Sequence, residues 1–318
     1  LPIWPDRAVI VAAGDADPAV LAALVGKYFG DWKVPGKPVP APSFGDPVAP
    51  ADGNVGEAQV IVEPDFPRAV TYAVLRPWRP VNDTIVYNQG LMTDALAQAI
   101  INQRLEARAR GGGSYLVAQV NQQDVSRSAD TTQVSVTPLG EDWQAALRDV
   151  RAVIADALDQ PPTQDEIDRA VAEMDVAYQV PVEQRTLLPG ARLADDLVQA
   201  VNIRETVAAP EAVLRIFRES VPLFTPERVL EHTRKLFSGT VTRAIYITPR
   251  QGEADAASLK LAMQTAVAPD PSARLLTAPI SFADMPPVGT PGTVAAIKST
   301  GLPGIDQVEF ANGVKALL

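Results

Sequence analysis

An α+β fold is predicted for this chain, in which an antiparallel sheet packs against helices. Three observations carry it. Residues 82–123 join a proline-free helical run to an alternating strand through Gly111-Gly112-Gly113. Residues 57–63, 69–75, 114–123 and 131–137 read as strands and can pair with one face on helices. Between residues 143 and 237 the signals are helical throughout.

The elements follow in order. Residues 8–13, Ala-Val-Ile-Val-Ala-Ala, form a short apolar run of the kind found in central strands. Asp17-Pro18 supplies a cap and a first-turn proline for a helix over 18–29, with Val20, Leu21, Leu24, Val25 and Tyr28 inward. Residues 33–56 are rich in Pro, Gly and Ala and read as a linker. Pro64-Asp65-Phe66-Pro67 turns the chain between the first two strands of the sheet. Asn82 or Asp83 can cap the long helix, whose buried stripe is Ile85, Met92, Leu96, Ala99, Ile100 and Ala107. Arg104, Arg108 and Arg110 sit near its C-terminus, where the helix dipole favours cations. The glycines stop it. In the following strand Tyr115, Val117 and Gln119 alternate against Leu116, Ala118 and Val120.

Residues 143–158 form an amphipathic helix, and Thr163-Gln-Asp-Glu166 is a capping box opening a helix to about Val180. Helices are expected over 193–201, 210–219, 226–237 and 254–265, with a strand at 242–248. Residues 266–304 return to linker composition. Asn312-Gly313 is a type I′ hairpin signal. Arg7-Ala-Val-Ile-Val and Arg243-Ala-Ile-Tyr-Ile, each followed by a turn and a helix, echo each other as the endings of two repeat units.

Bulk properties narrow the function. The 318 residues exceed one typical core, and 47% are hydrophobic. A net charge of −10 argues against nucleic acid and anionic membrane surfaces as partners. No cysteine is present, so thiol chemistry is excluded. No run of about 18 apolar residues exists to span a membrane. Leu1-Pro2-Ile3-Trp4-Pro5 is no signal peptide, and the chain reads as an excised piece.

Several segments together resemble one family. Trp4–Val11, Gly14-Asp15-Ala16-Asp17-Pro18 and Tyr28-Phe29-Gly30-Asp31-Trp32 resemble the end of the catalytic domain of zinc peptidases of the insulinase (pitrilysin) family. The Arg104-Leu105 helix end, glycine break and Tyr115 strand resemble its next, structurally similar domain, and Phe310-Ala-Asn-Gly-Val314 the start of a further one. The resemblance implies residues 1–33 as the end of a catalytic-type domain and 34–56 as linker. It implies 57–268 as a complete non-catalytic domain, 269–304 as a second linker and 305–318 as an opening hairpin. It also implies a two-half clamshell around a peptide substrate, with this piece as a wall beside the zinc-bearing domain of the same parent chain. An envelope location follows by analogy. An inactive assembly subunit of the processing-peptidase type is the alternative.

The family's zinc motif is His-x-x-Glu-His. This chain has one histidine, His232, so it cannot build that site, and no cofactor is expected in it. Zinc is expected in the full-length protein. Arg108 and Tyr115, seven residues apart, match an Arg and Tyr that in the family reach toward the scissile carbonyl as oxyanion donors. Read without the family, they are a helix-end charge and a strand aromatic. By the same plain reading His232 is a helix surface or boundary residue and Gly111–Gly113 a helix stop rather than a phosphate cradle. Asp165, Glu166, Asp168, Glu173 and Asp175 read as a solvated helix face. Ser114, Ser126 and Ser128 lack a neighbouring base.

Overall fold

The computed structural model describes residue 5 and residues 8–36, 45–51, 53–125, 127–203, 205–274 and 289–318. It divides at residue 275 into a larger unit and a small C-terminal one. Of the resemblance segments, Trp4, Asp6 and Arg7 lie outside the described residues, as does Ser126.

The larger unit is built on a five-stranded sheet of order β1-β5-β2-β4-β3. The strands are β1 (Val55–Val62), β2 (Ala69–Pro77), β3 (Tyr115–Val125), β4 (Ala129–Pro138) and β5 (Val241–Thr248). The sheet is not wholly antiparallel as expected. β5 inserts between β1 and β2 and runs parallel to β1, while the other pairings are antiparallel. The proline-bounded turn after β1 therefore spans a strand instead of making a hairpin.

Helices α2 (Ile85–Arg110), α3 (Trp143–Asp159) and α8 (Ala256–Gln264) cover one face. The remaining helices of this unit are α1 (Pro18–Phe29), α4 (Gln164–Glu183), α5 (Gly190–Ile203), α6 (Pro210–Ser220) and α7 (Pro226–Phe237). α2 is the spine. Its Ile101 and Leu105 enter the core under the sheet with Val70, Tyr246, Leu147 and Val150. Its Met92, Leu96 and Ile100 enter a second core with Ile167, Phe217 and Val229. One helix can serve two cores because its apolar residues occupy adjacent i, i+4 rows. Thr84, not Asn82 or Asp83, caps it, accepting from the Tyr87 amide at 3.2 Å. Ile85 is exposed and takes no part in the stripe. At the C-terminus Gly112 has φ +94°, the left-handed conformation that ends a helix cheaply only with glycine.

Two expectations for the N-terminal segment are corrected. Residues 8–13 form no strand, since no described strand lies beside them to complete a ladder. α1 forms, capped by Asp17, but none of its residues is buried, and Val20, Leu24 and Tyr28 are exposed. The helical periodicity fixed its local form without supplying a surface to pack on. The repeat echo holds only at 243–247, which lies in β5.

The small unit is a three-stranded meander of β6 (Val294–Leu302), β7 (Ile305–Phe310) and β8 (Lys315–Leu317). β6 falls within residues 269–304, read above as linker, and the short turn Pro271–Ala273 in the same stretch buries Ala273 in the sheet core. At Asn312-Gly313 only Gly313 has positive φ (+85°), which fits a type I turn closed by a left-handed glycine rather than type I′.

A buried ion network fixes the helix layer. Arg104, 1% exposed, donates from Nε and Nη2 to the two oxygens of Glu166 at 2.7 and 2.9 Å and from Nη1 to Asp156 at 3.2 Å. Asp156 also receives Arg274 at 2.8 and 3.0 Å. Glu166 is therefore not part of a solvated acidic face. Burial pushes its carboxyl upward, but the Arg104 guanidinium and the Thr163 donors outweigh this and hold it below the usual range. A pKa lowered on folding stabilises the native state above the unfolded value, near 4.5, and is lost as pH falls below it. Unfolding free energy measured in urea is expected to fall between about pH 5 and 3, with a shallower fall in Glu166→Gln. Arg104→Met is expected to cost about 3–5 kcal/mol at pH 7, because it leaves the buried Glu166 carboxylate without a cation, while Asp156 keeps Arg274.

Candidate functional site

The helix-to-strand corner over residues 108–115 holds both residues singled out by the sequence. Tyr115 is 1% exposed. A β-bulge at the start of β3 shifts the register between Tyr115 and Val117, which puts Tyr115 on the core side with Ala118 and Val120. The expected alternation placed it on the opposite face, and one extra residue reverses that. Its hydroxyl donates to the Leu105 carbonyl at 2.7 Å, and burial raises its pKa despite the nearby Arg108. Arg108 Nη2 lies 3.3 Å from Asp149 and its Nε 3.4 Å from Asp270. Asp149 also accepts the Ser114 hydroxyl at 2.6 Å and the Ser114 amide at 3.1 Å. The corner is an internal clamp between α2, α3 and β3, with the Tyr115 hydroxyl turned away from solvent.

His232 has partners that no sequence pattern announces. Its Nδ1 is 2.6 Å from Asp94 Oδ1, and Lys235 Nζ donates to the other oxygen at 2.9 Å. Asp94 is 3% exposed, so this cluster ties α2 to α7. Among the described residues no group of three or more His, Cys, Asp or Glu is placed to hold a metal ion. No helix among them is long and apolar enough to cross a membrane.

The sheet face opposite α2, α3 and α8 carries no described helix. One row crosses all five strands through Gln59, Ile245, Thr71, Ser135 and Gln119. The next row is Arg243, Ala73, Gln133 and Asn121. These side chains are small or uncharged except for Arg243. The two edges differ. On β3 the Asn102 side chain from α2 accepts from the Val120 amide at 2.7 Å and donates to the Val120 carbonyl at 3.1 Å, so it occupies the place of a neighbouring strand. On β1 no described backbone group pairs with the outer edge, and Gln59, Ile61 and Val62 are exposed. No motif predicts Asn102 in this role. The only sign is a polar residue next to the apolar stripe of a helix.

Comparison with known proteins bears on this arrangement. The family description "Peptidase M16 inactive domain" matches residues 4–174, just over half of the chain. The chain belongs to the M16 peptidase family. Its fold is similar to that of the periplasmic protease PqqL from Escherichia coli (TM-score 0.63, 14% identity), covering 96% of this chain and 34% of that one. Against the first half of PqqL alone the TM-score is 0.63 at 15% identity, covering 85% of this chain and 56% of that one. A predicted insulinase family protease from Yersinia pestis gives 0.63 at 12% identity, with 78% of this chain and 53% of that one covered. This M16 chain thus spans about a third of full-length PqqL. No curated protein matches it.

Two variants test the site geometry. Tyr115→Phe is expected to lower stability by about 1 kcal/mol in urea unfolding, since it removes a buried hydrogen bond between β3 and α2. Asn102→Ala opens the β3 edge, and sedimentation velocity is expected to show concentration-dependent association absent from the wild type.

Proposed function

We propose that this chain is the non-catalytic wall of an M16 peptidase chamber, scaffolding a zinc-bearing domain of the same parent chain and facing the peptide substrate with its open sheet. The observation that carries the reading is the match to the family's inactive domain in a chain with a single histidine. Zinc and the hydrolytic water it activates belong to the partner domain. This wall contributes surface: a sheet face uncharged apart from Arg243, and one edge at β1, free among the described residues, on which an extended peptide adds as a further strand through backbone hydrogen bonds.

The domain reading supports the same proposal. Residues 1–33 end a catalytic-type domain, 57–268 form the wall domain, and 305–318 open a third domain. The share of this chain aligned falls from 96% to 85% when only the first half of PqqL is compared, as expected if the C-terminal segment belongs to the second half. PqqL is described as periplasmic, which supports an envelope location.

The purified chain is expected to take up no stoichiometric zinc in isothermal titration and to leave fluorogenic peptides intact; hydrolysis by the chain alone contradicts the reading. In the parent peptidase, Gln59→Lys with Ile61→Lys on the β1 edge is expected to raise KM several-fold at nearly constant kcat, because edge lysines oppose strand addition. An unchanged KM removes β1 as the docking edge.

A further inference from the structure

On the helix side of the sheet, away from the open face, a cavity of about 290 Å³ lies between α3, the end of α8 and the edge of the core. Ile154, Leu158, Phe237 and Met263 make its apolar walls, and Tyr72 and Arg151 also line it. Tyr72 is 5% exposed, yet its hydroxyl has no hydrogen-bond partner among the described residues. The hydroxyl lines the cavity, where a ligand can reach it. Arg151, half-buried on α3, gives Nη1 to the carbonyls of Ala262 and Thr265 at 2.6 and 2.9 Å. No described carboxylate pairs with it, although acidic side chains outnumber basic ones by 38 to 28 in the sequence. No Asp or Glu lines the cavity. It therefore offers unfilled donors, no fixed negative charge and an apolar wall.

We propose that this cavity binds a small carboxylate bearing an apolar chain. The carboxylate accepts from the Tyr72 hydroxyl and the Arg151 guanidinium, and the chain lies against Ile154, Leu158, Phe237 and Met263. A cation has no acidic partner there, and a bare phosphate leaves the apolar wall unfilled. The volume is about twice that of an apolar cavity that admits benzene, enough for a carboxylate and a chain of about six carbons. Two sources share this chemistry: a free short-chain acid, and the C-terminal residue of a peptide ending in a branched apolar side chain.

The test is calorimetric titration of the purified chain with hexanoate, hexylammonium, N-acetyl-leucine and N-acetyl-leucinamide. At least one of the two carboxylates is expected to bind one-to-one with Kd below about 1 mM, and neither hexylammonium nor the amide. Tighter N-acetyl-leucine identifies a peptide C-terminus as the source, and tighter hexanoate a free acid. Tyr72→Phe is expected to weaken the preferred carboxylate about tenfold, the worth of one hydrogen bond to a charged group. The same variant is expected to melt within about 2 °C of the wild type without ligand, because the Tyr72 hydroxyl lines the cavity and makes no hydrogen bond to a described residue. A merely structural tyrosine gives a melting point below that range. Absence of binding by both carboxylates at about ten times that concentration overturns the proposal. So does a Tyr72→Phe variant with undiminished affinity or a melting point below that range.

Discussion

Arg104 is the constraint on which the helix layer rests. Its guanidinium faces Glu166 with two nitrogens and Asp156 with the third, and Arg274 completes the pairing of Asp156. Two arginines and two carboxylates thus balance inside the protein. A buried network of this kind is weak evidence for added stability, because desolvation offsets most of the attraction. What it enforces is geometry. With one partner missing the remaining charges are stranded, so α2, α3, α4 and the segment at Arg274 are held to one arrangement.

That arrangement decides what the sheet can do. α2 crosses between two cores, and its polar residues are spent on its neighbours: Arg104 on α3 and α4, Asp94 on α7, Asn102 on the β3 edge. The consequence is asymmetry. Among the described residues, one face of the sheet is closed by helices and one is open; one edge is occupied by an asparagine and the other is free. One open face and one edge free among the described residues are the features on which the proposed peptide-receiving role rests.

Much of this was legible in the sequence. The Thr163–Glu166 capping box is present, and α2, α3, α7 and the strands of the sheet fall within a few residues of their periodic signals. Sequence periodicity reports which side of an element is apolar, not what it meets. For that reason α1 forms but buries nothing, and residues 8–13 make no strand. The parallel β1–β5 pairing joins segments nearly 200 residues apart, beyond any local signal. At the corner, a single bulge turned Tyr115 into the core. Glu166 met the capping-box pattern, while its burial against Arg104 depended on a helix 62 residues away. Arg108 and Tyr115 matched family spacing, yet the structure engages both in the clamp that joins α2 to β3.

The central claim is that this domain receives peptide on its open sheet through the β1 edge. Hydrogen exchange read by mass spectrometry tests it directly, with the chain in the presence and absence of a saturating, extended, non-cleavable peptide. Added protection of amides in residues 55–62, with those of 115–125 unchanged, is the result this account requires. Protection confined to β3, or none in either edge strand, contradicts it.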